Sequence, residues 1–192
     1  MLPMKKGNQY EKILRVSADL ISQKGYHGVS LQQIANKTRL HKSSLFHYFK
    51  NKEELILRIL EASVDDASGN LKKIVVNNEL SPKERLRKAI EEHLTSLLTE
   101  HRANATIYLN ELRGLSRKNQ KEYLTKRKRY QKDFEKIIEG MEREGYFSGL
   151  DPKIVTAGIL GMLNWTARWY KKTGRLTIKE ISDNFYRMVT KP

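Results

Sequence analysis

The chain has 192 residues and a formal net charge of +15, with 39% hydrophobic and 31% charged residues. That size allows one medium domain, or a small module joined to a larger one, with a substantial apolar core. The absence of cysteine excludes a disulfide framework, a zinc–thiolate site and a thiol nucleophile.

The basic start, residues 1–8, has no apolar stretch behind it and does not read as a secretory leader. Apolar residues Ile13, Val16, Ala18, Leu20 and Ile21 then recur at helical spacing, and Gly25 marks a stop. Ser30 with Gln33 reads as a capping box for a short helix over 31–37. A tight connection, Thr38-Arg39-Leu40-His41, leads to a second short helix over 42–49. Asn51 with Glu54 caps the next helix, over 53–67. The stretch from Gly69 to Leu80 reads as a loop, because it holds Asn77-Asn78. Ser81-Pro82-Lys83-Glu84 opens a helix with Leu86, Ile90, Leu94, Leu97 and Leu98 on one face. Phe134, Ile137, Ile138 and Met141 line another. Asp151-Pro152 starts a helix to about residue 172, and Thr177 with Glu180 caps a last one to about 189. Gly145 and Gly174 stand as stops.

Strand-like alternation is absent from this pattern, so the expected class is all-α with about nine helices. The longest apolar run, around 154–163, is broken by Thr156, Gly158 and Gly161, and falls short of the ~20 residues that span a bilayer. The excess of Lys and Arg predicts attraction to polyanions, nucleic acid first and an anionic membrane surface second. A purely solubilising role for the lysines is the bland alternative.

Two short helices joined by about four residues, with Ala35 at their close crossing, have helix-turn-helix spacing. Leu40, Leu45 and Phe49 can pack inward, which leaves His41, Lys42, Ser43, Ser44 and His47 for DNA. Small hydroxyl residues at the start of a reading helix allow close approach to the major groove. The segments Gly25-Tyr26-His27-Gly28-Val29-Ser30, Ile34-Ala35 and Leu40 to Phe49, then Lys50-Asn51-Lys52-Glu53-Glu54-Leu55, resemble the TetR family of bacterial regulators in order and spacing. That resemblance implies an N-terminal DNA-binding domain, residues 1–52, and an effector-binding and dimerising domain, residues 53–192. It implies backbone contacts from Ser30, Tyr48 and Lys52, and places Lys42, Ser43, Ser44, Phe46 and His47 at or near base edges. One departure stands out: Arg39 occupies a position where the family usually carries glycine. Lys5, Lys6, Lys12 and Arg15 could add charge against the DNA backbone or belong to a solvated tail.

Further along, Gly161 to Tyr170 with Gly174-Arg175-Leu176-Thr177 resembles the penultimate helix of a TetR subgroup that includes acyl-CoA-responsive repressors of lipid breakdown. Leu109 to Ser116 and Arg127 to Tyr130 fit the same subgroup. An acyl-CoA effector is thereby implied, with Trp165, Trp169, Arg168 and Arg113 as candidate ligand contacts and the run Lys126 to Arg129 as a further source of cations. A regulator that senses a drug or another aromatic or cationic molecule is the alternative, with Glu111 beside Tyr108 as its carboxylate and ring. The alternative to ligand contact for the tryptophans is packing or a dimer interface. The same resemblance implies a homodimer through about residues 152–190, a palindromic double-stranded operator and repression as the usual outcome. It implies a cytoplasmic protein with no membrane partner.

No phosphate loop, nucleophile elbow or HExxH pair occurs, so neither catalysis nor a cofactor is expected. His93 and His101, eight residues apart, are a weak indication of metal, and no metal site is expected.

Overall fold

The computed structural model describes residues 7–191, apart from the side chains of residues 100, 109, 110 and 113. Among these residues there are nine α-helices and no strand. They are α1 (Asn8–Lys24), α2 (Leu31–Thr38), α3 (Lys42–Leu45), α4 (Lys52–Val75), α5 (Pro82–Thr95), α6 (Arg102–Glu111), α7 (Arg117–Arg143), α8 (Pro152–Trp169) and α9 (Ile178–Thr190). A π turn, Ser96–Glu100, follows α5, and a 3₁₀ turn, Leu112–Gly114, follows α6.

The caps explain where the helices start. Gln33 N–H donates to Ser30 Oγ at 3.2 Å, and Ser30 N–H donates back to Gln33 Oε1 at 2.7 Å. Ser81 with Glu84 and Thr177 with Glu180 make the same reciprocal pair. Asn51 Oδ1 accepts from Glu54 N–H, and Asp151 Oδ1 from Lys153 N–H. Each such cap is worth about 1 kcal/mol. Gly25 ends α1 at φ +73°, and a Cβ at Gly28 would meet Lys24 O at 2.2 Å, so the link between α1 and α2 requires glycine there.

Two expectations about element boundaries change. The segment from Gly69 is not a loop: α4 continues to Val75, because Leu71 is buried and Ile74 and Val75 pack on the same core. The second reading helix is shorter than 42–49. After Leu45 the chain tightens into i→i+3 bonds from Phe46, His47 and Tyr48 N–H, while Leu45 and Phe49 stay buried.

The chain forms two compact units. The first comprises Met1–Ser63 and Ala103–Leu124. In it α1 packs on α2 and α2 on α3, around Ile13, Ile21, Ile34, Ala35, Leu45 and Leu55. The second comprises Val64–Arg102 and Thr125–Pro192. Here α5 packs along α9 and against α8. Phe134, Leu86, Ile90, Leu94, Ile138 and Leu163 fill its core.

Arg39 adopts the left-handed conformation, φ 58° and ψ 43°, at the end of α2. The turn therefore keeps the geometry that glycine would supply, at the expense of a Cβ clash with the backbone. Arg39→Gly is expected to stabilise the protein by about 1 kcal/mol, a rise in Tm of roughly 2–4 °C. Thermal unfolding followed by circular dichroism checks it; an unchanged or lower Tm would show that the turn carries no strain.

Candidate nucleic-acid interface

The reading face is built on α2, the turn at Arg39 and α3. His41, Lys42, Ser43 and His47 are exposed, and Ser44 is half-buried. Phe46 projects a ring that is 50% exposed, so this aromatic is not part of the core. Ser30 is exposed, and its Oγ already accepts the capping bond from Gln33; its O–H remains able to donate to phosphate. Tyr48 is half-buried, with its ring tilted against Tyr10 and Phe49. Thr38, at the end of α2, is buried and its hydroxyl donates to Ile34 O at 2.8 Å.

Charge reinforces this face in a way the motif reading passed over. Between Asp19 and Glu53 the chain has no carboxylate, while Lys24, Lys37, Arg39, Lys42, Lys50 and Lys52 all fall in that stretch. An acid-free, cationic module attracts phosphate over its whole surface. The signal was present as a gap in the acidic residues rather than as a motif.

Lys52 sits differently from the others. Its Nζ donates to Tyr26 O and lies 4.1 Å from the centre of the Tyr26 ring. Burial lowers its pKa, and the nearby Glu111 opposes that shift. Glu111 in turn accepts from Tyr26 N–H at 3.1 Å through Oε1. Glu53 at the start of α4 accepts from Ser116 N–H and from Asn119 Nδ2, both at 2.7 Å. Those bonds hold its carboxyl below the usual range. Arg58 bridges Glu54, Glu61 and Glu122. Within the first unit, the reading module is thus hydrogen-bonded to the end of α6 and the start of α7.

The candidate ligand residues divide between the units. Tyr108 and Glu111 are on α6 in the first, with Tyr108 tilted against Tyr123 at 5.8 Å. Trp165, Arg168 and Trp169 are on α8 in the second and face outward, the two indoles 63% and 47% exposed. Ile154, 70% exposed, continues the same face one end of the helix away. The Arg113 side chain, and Lys5 and Lys6, lie outside the described residues.

Inside the second unit lies a polar group of residues that the sequence reading did not assemble. His93 Nδ1 on α5 is 2.8 Å from Tyr130 Oη on α7. Asn164 on α8 stands beside the imidazole and donates its own amide to Leu160 O. The histidine pKa falls to about 4, chiefly through burial, with Arg127 adding to the shift and Asn164 opposing it. The ring is therefore neutral at pH 7. Burial also raises the Tyr130 phenol. His101, by contrast, faces Asp66 across 3.4 Å, and no cluster of metal-ligating residues occurs among the described residues.

The buried histidine makes stability depend on pH. The unfolded chain takes up this proton near pH 6.5 and the folded chain only near 4, so the unfolded state binds more protons in between. Stability present above pH 6.5 is lost as pH falls towards 4, by about 3 kcal/mol once both states are protonated. Urea unfolding at pH 7 and pH 4.5 is expected to show a smaller acid loss in His93→Phe than in the unaltered protein. Equal losses would remove His93 as the cause.

Known proteins are similar to this chain in sequence and fold. A family model described as "Bacterial regulatory proteins, tetR family" matches residues 13–59, and "Tetracyclin repressor-like, C-terminal domain" matches residues 79–192. The transcriptional repressor KstR2 of Mycobacterium tuberculosis (strain ATCC 25618 / H37Rv) is 25% identical over 93% of this chain and 89% of its own length. The fatty acid metabolism regulator protein of Bacillus subtilis (strain 168) is 22% identical, over 94% of this chain and 93% of its own. Among solved structures, AibR in complex with isovaleryl coenzyme A and operator DNA has a TM-score of 0.84 at 30% identity, covering 96% of this chain and 100% of that one. PfmR from Thermus thermophilus also has a TM-score of 0.84, at 26% identity, covering 93% and 96%. With the helix-turn-helix in place and family models matching at both ends, the chain belongs to the TetR family of bacterial regulatory proteins.

Proposed function

We propose that this protein is a transcriptional repressor that binds a palindromic operator as a homodimer and is released from it by an acyl-CoA. The acid-free reading face, with Lys42, Ser43, Phe46 and His47 exposed and Ser44 half-buried among them, is the observation that carries the DNA-binding half. In this reading Ser30, His41, Tyr48 and Lys52 position the module on phosphate, and the outward residues of α3 and its following turn read bases. The effector half draws on AibR, whose structure holds both isovaleryl coenzyme A and operator DNA, and on the lipid-linked relatives above. Arg168, exposed on α8, is the cation offered to the CoA phosphates. No chemical step is involved, and a regulator of chromosomal DNA works in the cytoplasm; no helix of the described residues is long and apolar enough to cross a membrane.

The dimer is assigned to residues 152–190. Ile154, Gly158, Gly161 and Trp165 follow one another at helical spacing on the exposed face of α8. A Cβ at either glycine would meet nothing within 4 Å, so neither is needed inside this chain. Small residues on an outward apolar face suit close approach of a second helix. Two-fold pairing sets the reading helices about one DNA turn apart, ~34 Å. The effector acts as a population shift, favouring a spacing of the heads that no longer fits the operator.

A drug-sensing regulator would need an uncommitted carboxylate near aromatics. Glu111 gives Oε1 to Tyr26 N–H instead, which weakens that alternative.

The test is selection of duplexes from a random pool by the purified protein, followed by titration of the complex with acyl-CoAs of graded chain length. An enriched inverted repeat, released by acyl-CoA, is expected. Failure to enrich any sequence overturns the regulator reading. An enriched repeat that stays bound at saturating acyl-CoA overturns only the effector.

A further inference from the structure

Two non-glycine residues among those described have a left-handed backbone, Arg39 and Phe147, both at φ 58°. That conformation brings the Cβ of an L-residue against its own backbone, so it persists only where something compensates. For Phe147 the compensation is visible, because the residue packs against the core of the second unit. Arg39 has no such packing. Its side chain is exposed, and its guanidinium takes part in no ion pair or hydrogen bond among the described residues.

The turn leaves this angle no freedom. Leu40 N–H donates to Ala35 O at 2.9 Å and Arg39 N–H to Asn36 O at 3.2 Å, which closes the end of α2. Thr38 beside them is buried, and its hydroxyl donates back to Ile34 O and Ala35 O. Any residue at position 39 must therefore take up the left-handed form, and glycine or asparagine would do so with less strain. Nothing inside the folded chain is gained from an arginine here, so its use lies in a partner outside the chain.

Place and charge identify that partner. Arg39 stands just before His41, the cap of α3, and Lys42, its first residue. It belongs to the connection between the helices and not to α3, whose outward side chains are the ones offered to bases. The chain has no carboxylate between Asp19 and Glu53 that could neutralise it locally. A planar, permanently charged fork of N–H donors matches the paired oxygens of a phosphate.

We propose that Arg39 binds a phosphate of the operator backbone, one contact from each reading head, and that the strained turn is retained for this contact. The proposal rests on the DNA-binding reading above and adds a contact to it. A backbone contact at the turn fixes the register of α3 in the groove without itself reading sequence.

The experiment measures affinity for the selected duplex by fluorescence anisotropy over a series of KCl concentrations. The unaltered full-length protein is compared with Arg39→Gly, Arg39→Asn, Arg39→Lys and Lys132→Gln. In the glycine and asparagine variants the dependence of log K on log[KCl] should become shallower by about 2 for the dimer, one phosphate per head. Their affinity at 0.15 M salt should fall roughly 10- to 30-fold, and the loss should shrink as salt rises. Arg39→Gly should bind less tightly while melting higher, which a folding defect would not produce. Arg39→Lys should keep the slope. Lys132→Gln removes the same charge from the exposed side of α7 and should leave the slope unaltered. An unchanged slope in Arg39→Gly and Arg39→Asn, or an equal fall in Lys132→Gln, overturns the contact while the regulator reading stands. A loss confined to particular base substitutions in the duplex also overturns it, in favour of base reading. If the unaltered protein selects no duplex, the regulator reading fails and this contact with it.

Discussion

Trp165→Glu is expected to leave the protein monomeric and to weaken operator binding by about 10²–10⁴-fold, the gain that linking two binding modules supplies. The indole lies mid-way along the outward face of α8, with Gly161 one turn before it. A carboxylate there would have to shed its water against a second apolar helix. Each reading head would still carry its cations, so residual binding should be weak, salt-sensitive and indifferent to sequence. Sedimentation equilibrium gives the assembly state, and fluorescence anisotropy on the selected duplex gives the affinity. A variant that stays dimeric and binds as before would move the interface away from α8.

Phe134→Ala is expected to remove about 3–5 kcal/mol of stability. The ring is fully buried on α7, in the cluster formed with residues of α5, α8 and α9. Close packing leaves little room for those neighbours to collapse into the space. Against a typical total of about 5–15 kcal/mol, a loss of that size would leave the second unit marginal. Urea unfolding with a fixed slope measures it, and a loss under about 1 kcal/mol would mean that the cluster repacks around the gap.

Residues that act on near neighbours were legible from the sequence. Ser30 with Gln33, Ser81 with Glu84 and Thr177 with Glu180 are three apart, and a three-residue pattern is enough to find them. Gly69 misled because an exposed glycine within a helix looks the same as one in a loop. What carries α4 through it is burial of Leu71, a tertiary effect. Arg39 could be flagged as irregular, while its left-handed angle had to be observed. The π turn leaves no compositional mark, since its i→i+5 bonds use backbone alone. His93 and Tyr130 are separated by 37 positions and meet only when α5 packs near α7, so the sequence offered only the spacing of His93 from His101, a weak indication of metal. Glu111 was expected to face a ligand, and its Oε1 accepts from the backbone of the reading module, a contact 85 positions away that the sequence does not display.

That choice of partner affects how such a protein can change over generations. Glu111 and Glu53 reach backbone N–H groups, those of Tyr26 and Ser116, and every residue type except proline offers an N–H. The side chain at position 26 can therefore drift without breaking its bond to Glu111, whereas at position 116 the serine hydroxyl adds a second bond to Glu53 beside the backbone one. Reading heads with altered base preference could be exchanged onto one sensing body, and one head could be carried by bodies with different effectors, without re-matching a pair of side chains at the bond between Tyr26 and Glu111.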